Sequence, residues 1–227
     1  MFFLTAIGMF FSQACFATDD NGYQNTFTAQ KEDFASRGKN KYFILEPGFQ
    51  LVLEGRSNDQ PTVLTITVLD ETKRVDGVET RVLEEKEAVN GKVEEISRNY
   101  YAISKKTRDI YYFGEEVDNY KDGKVDNHDG SWLAGVKEAH FGLYMPANPI
   151  VGQKYDQELA PGIAMDRGEI VSLTESFETP AGKFDHCLRT KDTSGLDGDF
   201  EEKHYAPDIG LIQDEGLLLT RYGQTKL

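Results

Sequence analysis

The chain has 227 residues, of which 39% are hydrophobic and 11% aromatic, so it carries enough apolar surface to fold and is not typical of a disordered protein. Its 25 basic residues stand against 39 acidic ones, and the resulting net charge of −14 repels nucleic-acid phosphates and anionic lipid head groups. We therefore expect neither a nucleic-acid-binding protein nor a peripheral membrane protein.

The chain begins with an apolar run at residues 1–11 that is too short to span a bilayer and is followed by small residues. This pattern predicts a signal peptide over residues 1–17 and therefore a periplasmic or secreted protein. A second interpretation stays open, because Ser12-Gln13-Ala14-Cys15 resembles the lipobox of bacterial lipoproteins. It would place a lipid anchor on Cys15 and hold the protein in the bacterial envelope. No later segment predicts a transmembrane helix.

Residues 18–40 are polar, contain glycine and show no sustained period, so we predict a flexible N-terminal arm ahead of a single β domain at residues 41–227. The Pro47-Gly48 turn opens the first long strand. From Thr62 to Asp70, apolar residues recur at every second position, which is typical of a half-buried strand. Asn90-Gly91 is a strong hairpin sequence because both residues tolerate positive φ.

The same alternation of strands and turns continues towards the C-terminus and predicts about eleven strands. These are Phe49–Gly55, Thr62–Asp70, Val78–Val89, Lys92–Ser104, Ile110–Phe113, Gln153–Leu159, Glu169–Glu178, Phe184–Thr190, Phe200–Tyr205 and Leu211–Tyr222, the last broken by a turn at Asp214-Glu215-Gly216. Leu133–Phe141 is the best helical candidate, so helix is at most minor. Antiparallel strands with one apolar face must curl to cover it, which predicts an all-β meander forming a barrel, half-barrel or sandwich.

Five segments carry a family resemblance that covers the stretch from about Lys41 to Gly210: Tyr42–Gly48, Tyr112–Glu115, Gly130–Trp132, Met145–Pro149 and Tyr205–Leu211. This stretch resembles a family of uncharacterised secreted bacterial β-proteins, which is similar in architecture to lipoprotein-localisation-factor-like or lipocalin-like periplasmic proteins. The resemblance implies a β architecture in the periplasm and carries no assigned reaction. The chain departs from the family at His140 and His204, where we expect apolar or aromatic residues.

The densest acidic cluster spans residues 118–130. Asp118, Asp122, Asp126 and Asp129 match four ligand positions of a calcium loop, so calcium is the one cofactor that the sequence suggests. A hairpin turn at Asp122-Gly123 explains the same residues and is the preferred interpretation. A second acidic stretch, Asp192–Glu202, lacks ligand spacing, and we predict a solvated loop there.

An aromatic and apolar group lies outside the clearest strands and is the candidate ligand-binding set. Its members are Trp132, His140, Phe141, Tyr144 and Met145. They predict the mouth of a pocket, with ordinary core packing at one end of a barrel as the alternative.

The sequence shows no arrangement typical of catalysis. The four histidines lack the short spacings of a zinc site, and neither a serine elbow nor a phosphate-binding glycine loop is present. We therefore expect a non-enzymatic exported protein that binds a small apolar or lipid-like ligand. The alternatives are a structural or interaction module that docks on an envelope protein and, third, a hydrolase.

Overall fold

The structure is a computed structural model that describes residues 18–19, 21–27 and 29–225. Within these ranges the chain is nearly all β, with a short 3₁₀ helix at Lys31–Asp33 and no α-helix, so the predicted fold class is confirmed. None of the described residues form a helix long and apolar enough to cross a bilayer. The predicted signal peptide and Cys15 lie outside the described residues.

The strands are β1 (Phe34–Ala35), β2 (Gly38–Lys39), β3 (Ile44–Leu45), β4 (Phe49–Ser57), β5 (Gln60–Val75), β6 (Val78–Val89), β7 (Lys92–Ser104), β8 (Ile110–Lys121), β9 (Lys124–Asn127), β10 (Trp132–Leu133), β11 (His140–Met145), β12 (Lys154–Asp156), β13 (Glu158–Leu159), β14 (Asp166–Thr179), β15 (Gly182–Ser194), β16 (Phe200–Ala206), β17 (Gly210–Asp214) and β18 (Leu217–Gln224). The segment Leu133–Phe141, the best helical candidate, contains the end of β10, a turn region and the start of β11.

Thirteen strands form one antiparallel sheet in the order β12-β14-β15-β16-β17-β18-β4-β5-β6-β7-β8-β11-β13. The two strands at the ends of this order, β12 and β13, are separated along the chain only by Gln157, whose N–H donates to the Asp166 carbonyl at 2.8 Å. The sheet is therefore nearly closed into a barrel, with more strands than the eleven predicted. Pairing of β4 with β18 joins the first long strand to the last one.

Tight turns join the long strands, as predicted. Asn90 and Gly91 connect β6 to β7 with φ of +52° and +76°, and Asp122 and Gly123 connect β8 to β9 with φ of +54° and +75°. Positive φ at both central residues matches the right-handed twist of the flanking strands. The hairpin interpretation of Asp122-Gly123 is therefore confirmed.

A buried arginine supports an irregularity in the β5–β6 ladder, where the register shifts between Val68 and Thr72. The Arg81 side chain donates hydrogen bonds to the carbonyl oxygens of Ser36, Leu69 and Glu71, at 2.9, 3.3 and 3.2 Å. Arg81 is only 6% exposed. A substitution that removed its guanidinium would therefore leave these carbonyls without their donors in a region that water reaches poorly.

One end of the barrel interior is filled by apolar side chains. Leu51, Ile66, Leu83, Tyr205 and Leu211 are all buried there and leave an open volume of only about 40 Å³. Burial of each such side chain contributes roughly 1.5–3 kcal/mol. This end forms the core, and it leaves the other end of the interior as the region with open space.

The described part of the predicted N-terminal arm packs on the outside of the barrel. Phe27 and Phe34 each contact Tyr111 edge-to-face, with ring centroids 5.7 and 5.2 Å apart. Further towards the N-terminus, the Asp19 carboxylate lies 3.2 Å from the Arg167 guanidinium. These contacts hold the arm along the barrel wall.

Candidate functional site

The open end of the barrel interior holds a cavity of about 370 Å³ with an acidic lining. Eight carboxylate side chains line it: Glu85, Glu115, Glu158, Asp166, Asp192, Asp199, Glu201 and Glu215. Among the described residues, Lys203 is the one basic side chain of this lining. The cavity therefore has a strong excess of potential negative charge.

The strand period explains why carboxylates point inward. On β6, Leu83 lies in the apolar core, and Glu85 two residues later lies on the same face of the strand and lines the acidic cavity. On the neighbouring β7, Asn99 and Tyr101 are also two positions apart, and both line the cavity. The inward face thus changes from apolar to acidic along the barrel axis.

Three tyrosine rings and Phe200 form the aromatic part of the lining. Tyr101 and Tyr112 are stacked with centroids 4.7 Å apart, and Tyr144 meets Tyr101 edge-to-face at 4.9 Å. The Tyr112 hydroxyl donates to Asn99 Oδ1 at 2.6 Å, which fixes the ring against β7. These rings form an aromatic surface beside the carboxylates of the cavity.

Burial perturbs the carboxylates of the cavity. It raises the pKa of Glu85 to about 7, and the Lys203 ammonium offsets part of this effect. It also raises the pKa of Glu115 to about 7, with the Glu85 carboxylate adding to the shift. Burial raises the pKa of Glu158 well above the usual range, and the neighbouring Asp166 contributes in the same direction. Glu85 and Glu115 therefore change their protonation state near neutral pH.

Lys203 neutralises one side of the cavity. Its Nζ lies 2.7 Å from Glu201 Oε1 and 3.6 Å from Asp214 Oδ2. Burial lowers the pKa of Lys203, but Asp214 and Glu201 more than compensate, so the pKa lies well above its usual value. The ammonium is charged, and these two carboxylates are its closest ion-pair partners.

Asp192 has no ion-pair partner within 4 Å among the described residues. It is 6% exposed, lines the cavity, and its Oδ1 accepts no hydrogen bond from any described residue. Burial raises the pKa of Asp192 to about 6, and the Lys203 ammonium and the Thr190 and Gln157 side chains beside the carboxylate offset part of this effect. The prediction of a solvated loop is wrong here, because Asp192 belongs to β15, and the strand continues to Ser194 before the turn. A buried carboxylate oxygen without a donor is costly unless a ligand or water satisfies it.

The five aromatic and apolar residues predicted to bind a ligand do not lie together in one pocket. Tyr144 lines the acidic cavity, whereas Trp132 lines a separate pocket of about 290 Å³ and meets the Tyr112 ring edge-to-face at 5.3 Å. Met145 is buried in the core, His140 is exposed, and Phe141 stacks on Phe113. Ligand contact by these five residues stays a prediction.

The four candidate calcium ligands lie on or after the β8–β9 hairpin. Asp118 contacts the Arg98 guanidinium at 3.3 Å and His128 Nδ1 at 3.0 Å, so its carboxylate is already engaged. Asp122 is in the turn itself, and Asp126 and Asp129 are exposed. In the described part of the chain, no group of three or more His, Cys, Asp or Glu side chains is arranged to hold a metal. A calcium site stays a prediction.

Sequence reasoning missed Glu85, Glu115, Asp192 and Lys203 as a group. The informative pattern was present, because continuing the period-two alternation of β6 past Leu83 assigns Glu85 to the inner face. The missing information was which strands face each other, and this depends on the closure of the barrel.

Comparisons with protein-family models, with curated protein sequences and with solved structures gave no match for this chain.

Proposed function

We propose that this chain is an exported, non-enzymatic binding protein that takes a small organic cation into the acidic cavity. The observation that carries the proposal is the lining of the cavity, in which eight carboxylates accompany Lys203 alone and Asp192 Oδ1 has no hydrogen-bond donor. The leader-like residues 1–17 support export, and the β-barrel architecture is compatible with a binding role.

A bound cation would supply the positive charge that the buried carboxylates of the cavity lack. Buried carboxylates must be protonated, hydrogen-bonded or paired with a positive charge, because a charge removed from water is costly on its own. The raised pKa values of Glu85 and Glu115 are the effect of this cost. An organic cation would replace the bound protons and would contact the Tyr101, Tyr112 and Tyr144 side chains, which also line the cavity.

A cation fits the open volume better than the apolar or lipid-like ligand that the sequence suggests. The apolar end of the interior has only about 40 Å³ of open volume, whereas the acidic cavity has about 370 Å³. An apolar ligand in the acidic cavity would remove water from the carboxylates and offer them no hydrogen bonds. An organic cation is preferred to a metal ion because the described side chains hold no cluster with metal-binding geometry.

Isothermal titration calorimetry with tetramethylammonium, butylamine, guanidinium and spermidine tests the proposal. We expect at least one of these cations to bind at pH 8, and we expect affinity to fall by roughly 10–100-fold at pH 5, since carboxylates with pKa near 6–7 are protonated there. Between pH 6 and 7, where these carboxylates are partly protonated, binding should also release protons, so the apparent heat should depend on the ionisation enthalpy of the buffer.

Glu84→Gln is the matched control for Glu85→Gln. Glu84 is the preceding residue on β6, points to the other face and lies 3.7 Å from Arg98. Glu85→Gln should weaken cation binding, and Glu84→Gln should not. The proposal is overturned if folded protein binds none of the four cations, or if it binds a fatty acid and no cation.

A further inference from the structure

We infer that the ligand is a linear di- or polyamine, whose separated ammonium groups contact carboxylates on two facing walls of the acidic cavity. This inference rests on the proposed function and narrows it to one class of cation. Its basis is the position of the carboxylates around the barrel, together with the buried Asp192 oxygen that has no donor.

The carboxylates lie on opposite walls. Glu85 and Glu115 are on β6 and β8, while Asp192 and Glu201 are on β15 and β16. In the sheet of thirteen strands, β15 and β6 are six positions apart, so they face each other across the interior. The walls are close enough to interact, because the Lys203 ammonium on β16 acts on the Glu85 carboxylate.

Carboxylates without an ion-pair partner remain on both walls. No described Lys, Arg or His side chain lies within 4 Å of the Glu85, Glu115 or Asp192 carboxylates. Lys203 pairs with Glu201 at 2.7 Å and acts on Glu85 and Asp192 only from beyond ion-pair distance. A compact monocation can reach one wall, whereas a chain with an ammonium at each end can reach both.

Lys203 shows that the cavity accommodates an alkylammonium group. Its side chain is a primary ammonium on a four-carbon stem, and it makes a 2.7 Å contact with Glu201 inside the cavity. A linear amine would repeat this contact on the opposite wall. This makes primary ammonium groups a better match than bulky quaternary ones.

The wall that carries Glu115 suits a methylene chain. Tyr101, Tyr112 and Tyr144 are on β7, β8 and β11 of this wall and line the cavity, and alkyl segments pack on aromatic rings without leaving a polar group unsatisfied. At ~30 Å³ for each water-sized group, the cavity volume of about 370 Å³ corresponds to roughly twelve such groups, which leaves room for putrescine or spermidine.

The test compares putrescine and spermidine with butylamine, a monoamine with the same four-carbon stem as putrescine, by calorimetry at pH 8 and fixed ionic strength. We expect both polyamines to bind at least tenfold more tightly than butylamine. Asp192→Asn and Glu85→Gln, which remove one carboxylate from each wall, should each reduce this advantage. Glu84→Gln, on the outer face of β6, should retain it.

The outcomes separate the two proposals. If butylamine or tetramethylammonium binds as tightly as putrescine, the polyamine inference is overturned and the cation-binding proposal stands. If no cation binds to the folded protein, both fall. Asp192→Asn and Glu85→Gln each remove a buried charge, so we expect both variants to fold. A cooperative urea unfolding transition verifies this. A loss of binding in Glu84→Gln equal to that in Glu85→Gln would also overturn the inference.

Discussion

Replacing Glu85 by glutamine is expected to make the protein more stable at alkaline pH and to reduce the pH dependence of its stability. Glu85 is half-buried on the inner face of β6 and has no basic partner within ion-pair distance. Burial raises its pKa from 4.5 to about 7. Glutamine resembles the protonated carboxyl in shape and removes the charge that the cavity disfavours.

The sign and size follow from proton linkage. Because the pKa is higher in the folded state than in the unfolded state, the stabilising contribution is fully present below pH ~4.5 and is lost as the pH rises through ~7. For a shift from 4.5 to about 7, the loss between pH 5 and pH 8 is ~2.5 kcal/mol. Water in the cavity reduces this value, so we expect Glu85→Gln to exceed the wild type by ~2 kcal/mol at pH 8 and by less than ~1 kcal/mol at pH 5.

Urea unfolding followed by tryptophan fluorescence measures the effect, since Trp132 is the only tryptophan of the chain and is 5% exposed. Wild type, Glu85→Gln and the outer-face control Glu84→Gln are compared at several pH values between 5 and 8. The control should keep the wild-type pH dependence. A Glu85→Gln protein whose stability changes with pH as steeply as that of the wild type would refute the assignment of a raised pKa to this carboxylate.

Three further substitutions each test one contact of the barrel, and the midpoint of urea unfolding is the measurement in each case. Arg81→Met is expected to lower the free energy of unfolding by about 3 kcal/mol, because three part-buried carbonyls lose their charged donor; an unchanged midpoint would contradict the contacts. Gly114→Ala is expected to cost at least ~2 kcal/mol, since φ is +134° and the added Cβ would lie 2.4 Å from the Trp132 carbonyl oxygen; wild-type stability would mean that the backbone relaxes without cost. Tyr112→Phe leaves Asn99 Oδ1 without its hydroxyl donor and should cost about 1–2 kcal/mol, and a gain in stability would show that this hydrogen bond does not hold the ring.

The β architecture could be predicted because it is encoded locally. The period-two pattern of Thr62–Asp70 and the Asn90-Gly91 turn specify a strand and a hairpin without reference to the rest of the chain, and both are present. The short strands could not be predicted in the same way. β10 and β13 have only two residues each, too few to display an alternation, and they exist because a neighbouring strand supplies hydrogen-bond partners.

The candidate site could be predicted far less well than the fold. Asp192 and Glu201 belong to a stretch whose glycine and acidic residues are typical of a solvated loop, yet both lie in strands whose inner face lines the cavity. Their burial depends on β6 and β8 on the far side of the barrel. A pattern along one strand can assign a side chain to a face, but it does not identify what that face meets.

Pairing of β4 with β18 has a consequence for how the molecule reaches its folded state. Leu217 pairs with Gly55, which lies 162 positions earlier in the chain, and the ladder continues to Gln224 opposite Phe49. The hairpins can form while the chain is still being made, but β4 stays without this neighbour until the ribosome has released β18. Completion of the barrel therefore has to wait for β18, and the slow search for this distant partner should set the pace of folding.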